Sequence, residues 1–357
     1  MDKLKKVLKW TGITILVIIL TLLLYKFYAD KTYFNEYDPN LALNPQVEEV
    51  KEINDEIEVF GIKRPRHFQS IKFSYQSRPG ERVPALLVMP IELKGKVPCV
   101  IFLHGIGQSK GFIHEIAGPF VDAGFAMASF DQIMQGERKV KGGWFAQAKA
   151  FRQRPWKTVN DARRLIDYLQ THPDIDPNRI YLVGASYGAM TGTILTAFEK
   201  RIKASILVVG GGNIKLMLDA PAITKNSPRW LHRLAKPIIV FMMKVADPIY
   251  YAKGTSPTPL LFLNGAEDTL VTPEAGKILF ESAGEPKEIK WYPIDHPGLR
   301  NSDGPEIIRM LDEGLEWLVE QDKKVKTELY SYIIEKWYRG WDSNPGHLEP
   351  QSSALTN

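Results

Sequence analysis

The fold of this chain is decided by residues 179–198, which read RIYLVGASYGAMTGTILTAF. The apolar run at the start predicts a strand and the run from Ala189 predicts a helix, with Gly184-Ala185-Ser186-Tyr187-Gly188 between them. A G-x-S-x-G sequence in this context is typical of a nucleophile elbow, a turn so tight that its serine is strained. The two glycines are expected because side chains would clash with the neighbouring strand and helix. By itself the pattern also fits an ordinary Gly/Ser turn, so the interpretation depends on its surroundings.

The sequence around this motif alternates between apolar strands and amphipathic helices. Further strands are predicted over 68–75, 83–89, 97–103, 125–130, 204–209, 259–263 and 288–292, and helices over 112–123, 158–170, from 274 and over 306–319. This alternation predicts an α/β fold, a mostly parallel twisted sheet with helices on both faces. The continuous apolar run 97–103 is typical of a strand that is covered on both sides.

We divide the chain into four parts. Residues 1–28 are a basic stub and membrane anchor, 29–60 a polar spacer, 61–325 the α/β domain, and 326–357 a C-terminal extension whose last part is expected to lack structure. The alternation of strands and helices breaks over 210–256, where prolines interrupt an apolar stretch. A long apolar insertion of this kind predicts a lid over the site, with a helical insertion packed on the core as the alternative.

The N-terminal segment predicts one transmembrane helix. An uncharged run extends from Trp10 to Tyr25. If the flanking Lys9 and Lys26 snorkel, a helix over 7–28 is about 33 Å long, enough to cross a bilayer core. Four lysines precede the run, so we expect the N-terminus in the cytoplasm and the remaining chain outside it. A cleaved signal peptide is the alternative.

Composition argues against several classes of partner. The 357 residues are 44% hydrophobic and carry a formal net charge of +5. Residues 1–31 hold six lysines and two aspartates, which accounts for most of that charge, so no nucleic-acid partner is expected. The single cysteine, Cys99, lies within an apolar run and predicts a buried small hydrophobe rather than a reactive thiol. The sequence contains neither a metal-ligand cluster nor a phosphate-binding loop, so no metal or cofactor is expected.

A serine nucleophile needs a base, and the base needs an acid that orients it. In a chain with a sheet-borne elbow these partners follow in the order Ser, Asp or Glu, and His, on loops after later strands. Asp268 and His296 each lie directly after a predicted strand, at the edge of the sheet where ligands bind. The spacing therefore predicts a triad of Ser186, Asp268 and His296, with Glu267 and Asp295 as alternatives for the acid.

The oxyanion of a tetrahedral intermediate needs two backbone N–H donors. The residue after the nucleophile, Tyr187, is expected to supply one. The other is expected from the loop after strand 97–103, where Gly105 and Gly107 allow a close approach and Ile106 is the candidate donor. His104, at the start of this loop, is interpreted as a structural residue.

Taken together, these features resemble the α/β-hydrolase superfamily, and within it the dienelactone-hydrolase-like and prolyl-oligopeptidase-like esterases, over about residues 65–320. The resemblance is carried by His104-Gly105-Ile106-Gly107, Asp131 with Gly136-Glu137-Arg138, Asp161-Ala162-Arg163-Arg164, the elbow, Gly265-Ala266-Glu267-Asp268 and His296. It implies the α/β-hydrolase fold and the same triad and oxyanion donors. The nucleophile is Ser where true dienelactone hydrolases have Cys, so lactone cleavage is not implied.

The sequence thus predicts a membrane-anchored serine hydrolase that cleaves a carboxylic ester through an acyl-enzyme intermediate. Its expected partners are a small-molecule ester or acyl substrate and, through the N-terminal helix, the membrane. A serine peptidase or an acyl transferase would use the same triad, and a non-catalytic anchored binding protein could keep the same fold. These alternatives remain open at the level of sequence.

Overall fold

A nine-stranded sheet lies at the centre of the computed structural model, which describes residues 2–225 and 228–342. The order across the sheet is β1-β2-β3-β5-β4-β6-β7-β8-β9. Strands β1 to β3 and β5 pair antiparallel, and the pairs from β5 through β4 to β9 are parallel. The strands are β1 (Gln46–Val59), β2 (Ile62–Arg78), β3 (Glu81–Met89), β4 (Val97–Leu103), β5 (Ala126–Phe130), β6 (Ile175–Ala185), β7 (Ile202–Val208), β8 (Leu260–Gly265) and β9 (Lys287–Tyr292).

Helices alternate with the parallel strands, as the sequence predicts. They are α1 (Asp2–Lys31), α2 (Ile113–Asp122), α3 (Trp144–Thr171), α4 (Tyr187–Phe198), α5 (Ile214–Met217), α6 (Pro221–Thr224), α7 (Arg229–Met243), α8 (Pro273–Ser282) and α9 (Gly304–Asp342). The insertion over 210–256 is helical. Helix α9 continues well beyond the predicted end at residue 319, and residues 343–357, expected to lack structure, lie outside the described residues.

Both faces of the sheet are covered, which confirms the α/β prediction. On β4, Ile101 and Leu103 join the core cluster that α3 and α4 form. The alternate residues Val100 and Phe102 join the cluster formed by α2 and α9. A strand with two buried faces needs apolar side chains at every position, which is why 97–103 is a continuous apolar run. Cys99 is fully buried, and burial raises the pKa of its thiol.

The prediction of a polar spacer over 29–60 is wrong for its second half. Residues 46–59 form β1, which pairs with β2 from Gln46 opposite Ser74 to Val59 opposite Ile62. Because β1 is an edge strand whose side chains are almost all solvent-exposed, it lacks the apolar alternation from which a strand can be predicted. Phe60 and Gly61 connect the strands with φ of 50° and 78°, the two positive values of a type I′ hairpin turn.

The tip of this hairpin contacts the start of α9. A Cβ at Gly304 would lie 1.9 Å from the carbonyl oxygen of Phe60, so only glycine permits this approach. Arg64 also donates two hydrogen bonds to Asp312, Nη1 to Oδ1 at 2.9 Å and Nη2 to Oδ2 at 2.6 Å. The hairpin is therefore fixed to α9 by close backbone packing and by a bidentate ion pair.

We expect Gly304→Ala to destabilise the protein by about 1–3 kcal/mol, because the new methyl group overlaps a backbone carbonyl that cannot move independently of the hairpin. The control is Gly143→Ala, because no atom lies within 4 Å of its added Cβ and its φ of −73° suits alanine. Thermal unfolding of both variants measures the difference. Equal melting temperatures for the two variants would contradict the close hairpin–helix contact.

Candidate active site

Ser186 lies in a strained turn between β6 and α4. Its φ of 55° and ψ of −116° are rare for a residue with a side chain, and its N–H donates to the carbonyl of Val208 at 2.8 Å. A Cβ at Gly184 would lie 2.4 Å from the Gly188 carbonyl oxygen, and one at Gly188 would lie 1.8 Å from that of Leu103. The packing of the turn therefore requires glycine at both flanking positions, as a nucleophile elbow predicts.

Ser186, His296 and Asp268 form one continuous chain of hydrogen bonds. The Ser186 Oγ and His296 Nε2 atoms are 3.0 Å apart, and His296 Nδ1 and Asp268 Oδ2 are 2.8 Å apart. The second oxygen of Asp268 accepts from the N–H groups of Leu270 and Val271 at 2.8 and 2.7 Å. His296 and Asp268 are both buried, so their mutual interaction is little screened by solvent.

The two alternative acids lie elsewhere. Glu267 is exposed and pairs with Arg300 at 2.7 Å. Asp295 accepts from the backbone N–H of Thr269 at 2.8 Å and from that of His296 at 2.7 Å. Burial alone would raise the pKa of Asp295, but these hydrogen bonds outweigh it and hold the pKa below its usual value. Asp295 therefore ties the loop of the acid to the loop of the base without reaching the imidazole ring.

The expected oxyanion donors lie on either side of Ser186. Tyr187 begins α4, where the first N–H groups have no partner within the helix. On the other side, a Cβ at Gly105 would lie 3.4 Å from that of Ser186, so the loop that carries Ile106 packs against the serine. The Gly105 N–H donates to Gln108 Oε1 at 3.0 Å, which holds this loop. His104 is buried and its Nδ1–H donates to the Gly105 carbonyl at 3.0 Å, in agreement with a structural role.

Asp131 and Asp161, which belong to the other motifs that carry the resemblance, are each paired with basic side chains. Asp161 is fully buried and accepts from Arg78 Nη2 and Arg138 Nη1, both at 2.7 Å. Burial alone would lower the pKa of Arg138, but Asp161 raises it above its usual value. Asp131 accepts from Lys110 Nζ at 2.8 Å. Within the described ranges, no group of three or more His, Cys, Asp or Glu residues is placed to hold a metal ion.

An apolar cavity of ≈ 480 Å³ opens beside Ser186 and His296. It lies on the α2–α9 face of the sheet, and the tip of the β1–β2 hairpin closes one side of it. Its apolar lining includes Val59, Phe60, Phe102, Phe112, Ile116, Phe120, Val183, Leu270, Leu299, Ile307, Ile308, Leu311 and Leu315. The sequence does not predict this cavity, because most of the side chains in its wall come from distant segments that carry no motif.

The predicted lid does not line this cavity. Among the described residues of 210–256, none contributes to its wall. The large apolar side chains of the insertion lie elsewhere: Trp230, Phe241 and Met242 are exposed, and Met243 is buried in the core on the opposite face of the sheet. The lid role is thus unconfirmed, while the alternative of a helical insertion packed on the core agrees with Met243.

A strained serine at a strand–helix turn, with His and Asp on later strand-end loops of a mostly parallel sheet, defines the α/β-hydrolase class. Two family models match the chain. The model of the acetyl xylan esterases covers residues 34–210 and includes the elbow. The model described as BAAT / acyl-CoA thioester hydrolase C terminal covers residues 163–275 and includes the elbow and Asp268. The chain has the α/β-hydrolase fold and resembles these two families over the residues matched.

Individual relatives agree with this assignment. Esterase YjfP of Escherichia coli (strain K12) is 23% identical over 240 residues, 65% of this chain and 94% of YjfP. YtaP of Bacillus subtilis (strain 168) is 25% identical over 146 residues, 35% of this chain, and the match spans only 48% of YtaP. In structure, acetyl xylan esterase 1 from Thermoanaerobacterium sp. JW/SL YS485 has a TM-score of 0.59 at 18% identity, with 80% of this chain and 93% of that chain covered. The comparisons support a hydrolase activity of the esterase type.

Substituting each acid separately tests the geometry of the site. We expect Asp268→Asn to lower kcat for a p-nitrophenyl ester by about 10⁴-fold, because an amide favours the wrong imidazole tautomer. Glu267→Gln should leave kcat close to that of the wild type, since Glu267 only contacts Arg300. Asp295→Asn should cause a smaller loss than Asp268→Asn, through disorder of the two loops. A severe loss in Glu267→Gln or Asp295→Asn would show that the acid is misassigned.

Proposed function

We propose that this chain is a serine hydrolase that cleaves a carboxylic ester through an acyl-enzyme on Ser186. The observation that carries the proposal is the hydrogen-bond chain from Ser186 through His296 to Asp268, which begins at the mouth of an apolar cavity. A serine hydroxyl is a weak nucleophile near neutral pH, and an adjacent imidazole is the means by which it is activated.

In the proposed mechanism, Ser186 Oγ attacks the ester carbonyl while its proton passes to His296 Nε2. The carboxylate of Asp268 holds Nδ1–H and stabilises the resulting imidazolium. The N–H groups of Tyr187 and Ile106 donate to the oxyanion. Collapse of the intermediate breaks the C–O bond, and the His296 proton leaves with the alcohol. Water then attacks the acyl-enzyme with His296 as the base, which releases the acid and restores Ser186.

The cavity supports a preference for an apolar acyl group. Its volume lies within the ~300–1,000 Å³ typical of small-molecule sites, and its wall consists mainly of aliphatic and aromatic side chains. An acetyl group, which the names of some similar proteins mention, would fill only a small part of this space. Burial of additional methylene groups favours longer chains by about 0.8 kcal/mol each, so we propose medium or long acyl esters as the preferred class.

Helix α1 supports membrane anchoring. Within it, Lys5–Lys31 is long and apolar enough to cross a bilayer, and its most apolar window is not buried against the rest of the protein. Asp30, close to its end, pairs with Arg152 of α3 at 2.5 Å. We therefore propose a single-pass protein with a cytoplasmic N-terminus and a catalytic domain held on the other side of the membrane.

A fluorophosphonate probe tests the mechanism directly. We expect it to label the wild type on Ser186 and to leave Ser186→Ala unlabelled, with ester hydrolysis in that variant reduced by several orders of magnitude. A panel of p-nitrophenyl esters and matching amides distinguishes an esterase from a peptidase, and added alcohols reveal acyl transfer. If the wild type is labelled but hydrolyses neither the esters nor the amides, its substrate belongs to a different class. If the wild type is neither labelled nor active, a non-catalytic binding protein is favoured.

Substitution inside the cavity tests the acyl preference. Leu311→Trp fills part of the cavity, so kcat/KM for long acyl esters should fall while the value for acetate esters stays close to wild type. The matched control is Thr327→Trp, an exposed position on the same helix, outside the lining. Equal losses for short and long esters in Leu311→Trp would show that this cavity does not hold the acyl chain.

A further inference from the structure

Helix α7 presents its apolar side to the solvent. Six large apolar residues recur along one stripe of the helix and are each at least 38% exposed: Trp230, Leu231, Leu234, Ile238, Phe241 and Met242. Their spacing of three, four and seven residues places them on one face. A surface helix of a water-soluble domain normally turns such a face towards the core.

The opposite side of α7 is the one that contacts the domain, and it is partly polar. His232 Nε2 lies 3.2 Å from Asp219 Oδ1, and Lys236 also pairs with Asp219. Met243 is buried in the α3–α4 core. The orientation of the helix is thus held by the contacts of Asp219 with His232 and Lys236 on one side and by the core packing of Met243 at its end. The apolar stripe cannot turn inwards without breaking these contacts.

The stripe is continuous with the end of the membrane helix. Lys26 of α1 lies over the ring of Phe241, with its Nζ 4.5 Å from the ring centroid. Lys26 also pairs with Asp30, which in turn binds Arg152 of the domain. The part of α1 that leaves the proposed bilayer and the C-terminal end of the stripe are therefore in direct contact.

The charges beside the stripe suit a lipid surface. Arg229, Arg233 and Lys244 are exposed and lie along one border of the apolar face. Arg and Lys at the edge of an amphipathic helix, with Trp, Phe and Leu on its apolar face, are typical of helices that lie in the headgroup layer. Attraction of such basic side chains to anionic lipids strengthens the binding of an interfacial helix.

We propose that the exposed stripe of α7 is embedded in the interfacial layer of the membrane that α1 crosses, so that the domain lies against the lipid surface at two places. This inference rests on the proposed anchoring by α1. It assigns the insertion a function other than a lid: α7 packs on the α3–α4 face of the sheet, whereas the cavity at Ser186 lies on the α2–α9 face. Changes in the stripe should therefore leave hydrolysis of a soluble ester unchanged.

Spin labels on the full chain test this placement. Cys99 is fully buried, so single cysteines at Leu234→Cys or Ile238→Cys can be labelled selectively. The protein is reconstituted in vesicles of phosphatidylcholine and phosphatidylglycerol. We expect collisions with a water-soluble nickel complex to be several-fold fewer, and collisions with oxygen more frequent, than for a label at Ile91→Cys, an exposed position in the turn before β4. Hydrolysis of a soluble ester by each variant reports that the domain is folded.

A label at Leu16→Cys in α1 separates this inference from the anchoring proposal. If the label at position 16 is shielded by lipid while the α7 labels are as accessible to nickel as the label at position 91, the α7 inference is wrong. The proposal that α1 anchors the protein is then unaffected. If Leu16 is also accessible, anchoring itself fails. Spin–spin broadening at Leu234 that disappears on dilution with unlabelled protein would show that a second copy covers the stripe, which would also overturn the inference.

Discussion

The structure depends on the contact between Gly188 and the carbonyl of Leu103, which lets the start of α4 lie directly against the end of β4. A Cβ at position 188 would lie 1.8 Å from the carbonyl oxygen of Leu103, so only glycine permits this approach. The approach lets the turn hold Ser186 at a φ of 55°. The same contact places the first N–H groups of α4 beside the loop that follows β4. This single close contact therefore positions both Ser186 and the backbone N–H groups that are expected to donate to an oxyanion. Because β7, β8 and β9 run parallel to β6, their following loops reach the same edge and bring Asp268 and His296 to the serine.

Much of this arrangement could be predicted from the sequence because it depends on local rules. A strand, a G-x-S-x-G turn and a helix specify the elbow, and the order of strands places the acid and the base at one sheet edge. The choice between Asp268, Glu267 and Asp295 required coordinates, because three carboxylates within or beside the same loops differ only in orientation. Asp268 turns inwards to the imidazole, Glu267 turns outwards to Arg300, and Asp295 accepts backbone hydrogen bonds between the loops.

The features that could not be predicted depend on tertiary contacts. Strand β1 is nearly all exposed, so its charged side chains are compatible with a spacer and with an edge strand alike. The cavity is assembled from the hairpin tip, α2 and α9, which lie far apart in the sequence. The apolar residues of 210–256 predict a lid because apolar side chains are normally buried against another part of the protein. In the structure, the apolar side chains of α7 lie away from the active site. The sequence indicates that these apolar side chains need to be covered, but it does not indicate which surface covers them.

Trapping the acyl-enzyme tests most directly whether Ser186 is the nucleophile. The full chain is mixed with a medium-chain p-nitrophenyl ester, quenched in acid within the first turnover, digested and analysed by mass spectrometry. We predict that the mass of the acyl group is found on the peptide that contains Ser186, together with a burst of nitrophenol equal to the enzyme concentration. Ester hydrolysis without any adduct on that peptide, or with the adduct on another residue, would contradict this prediction.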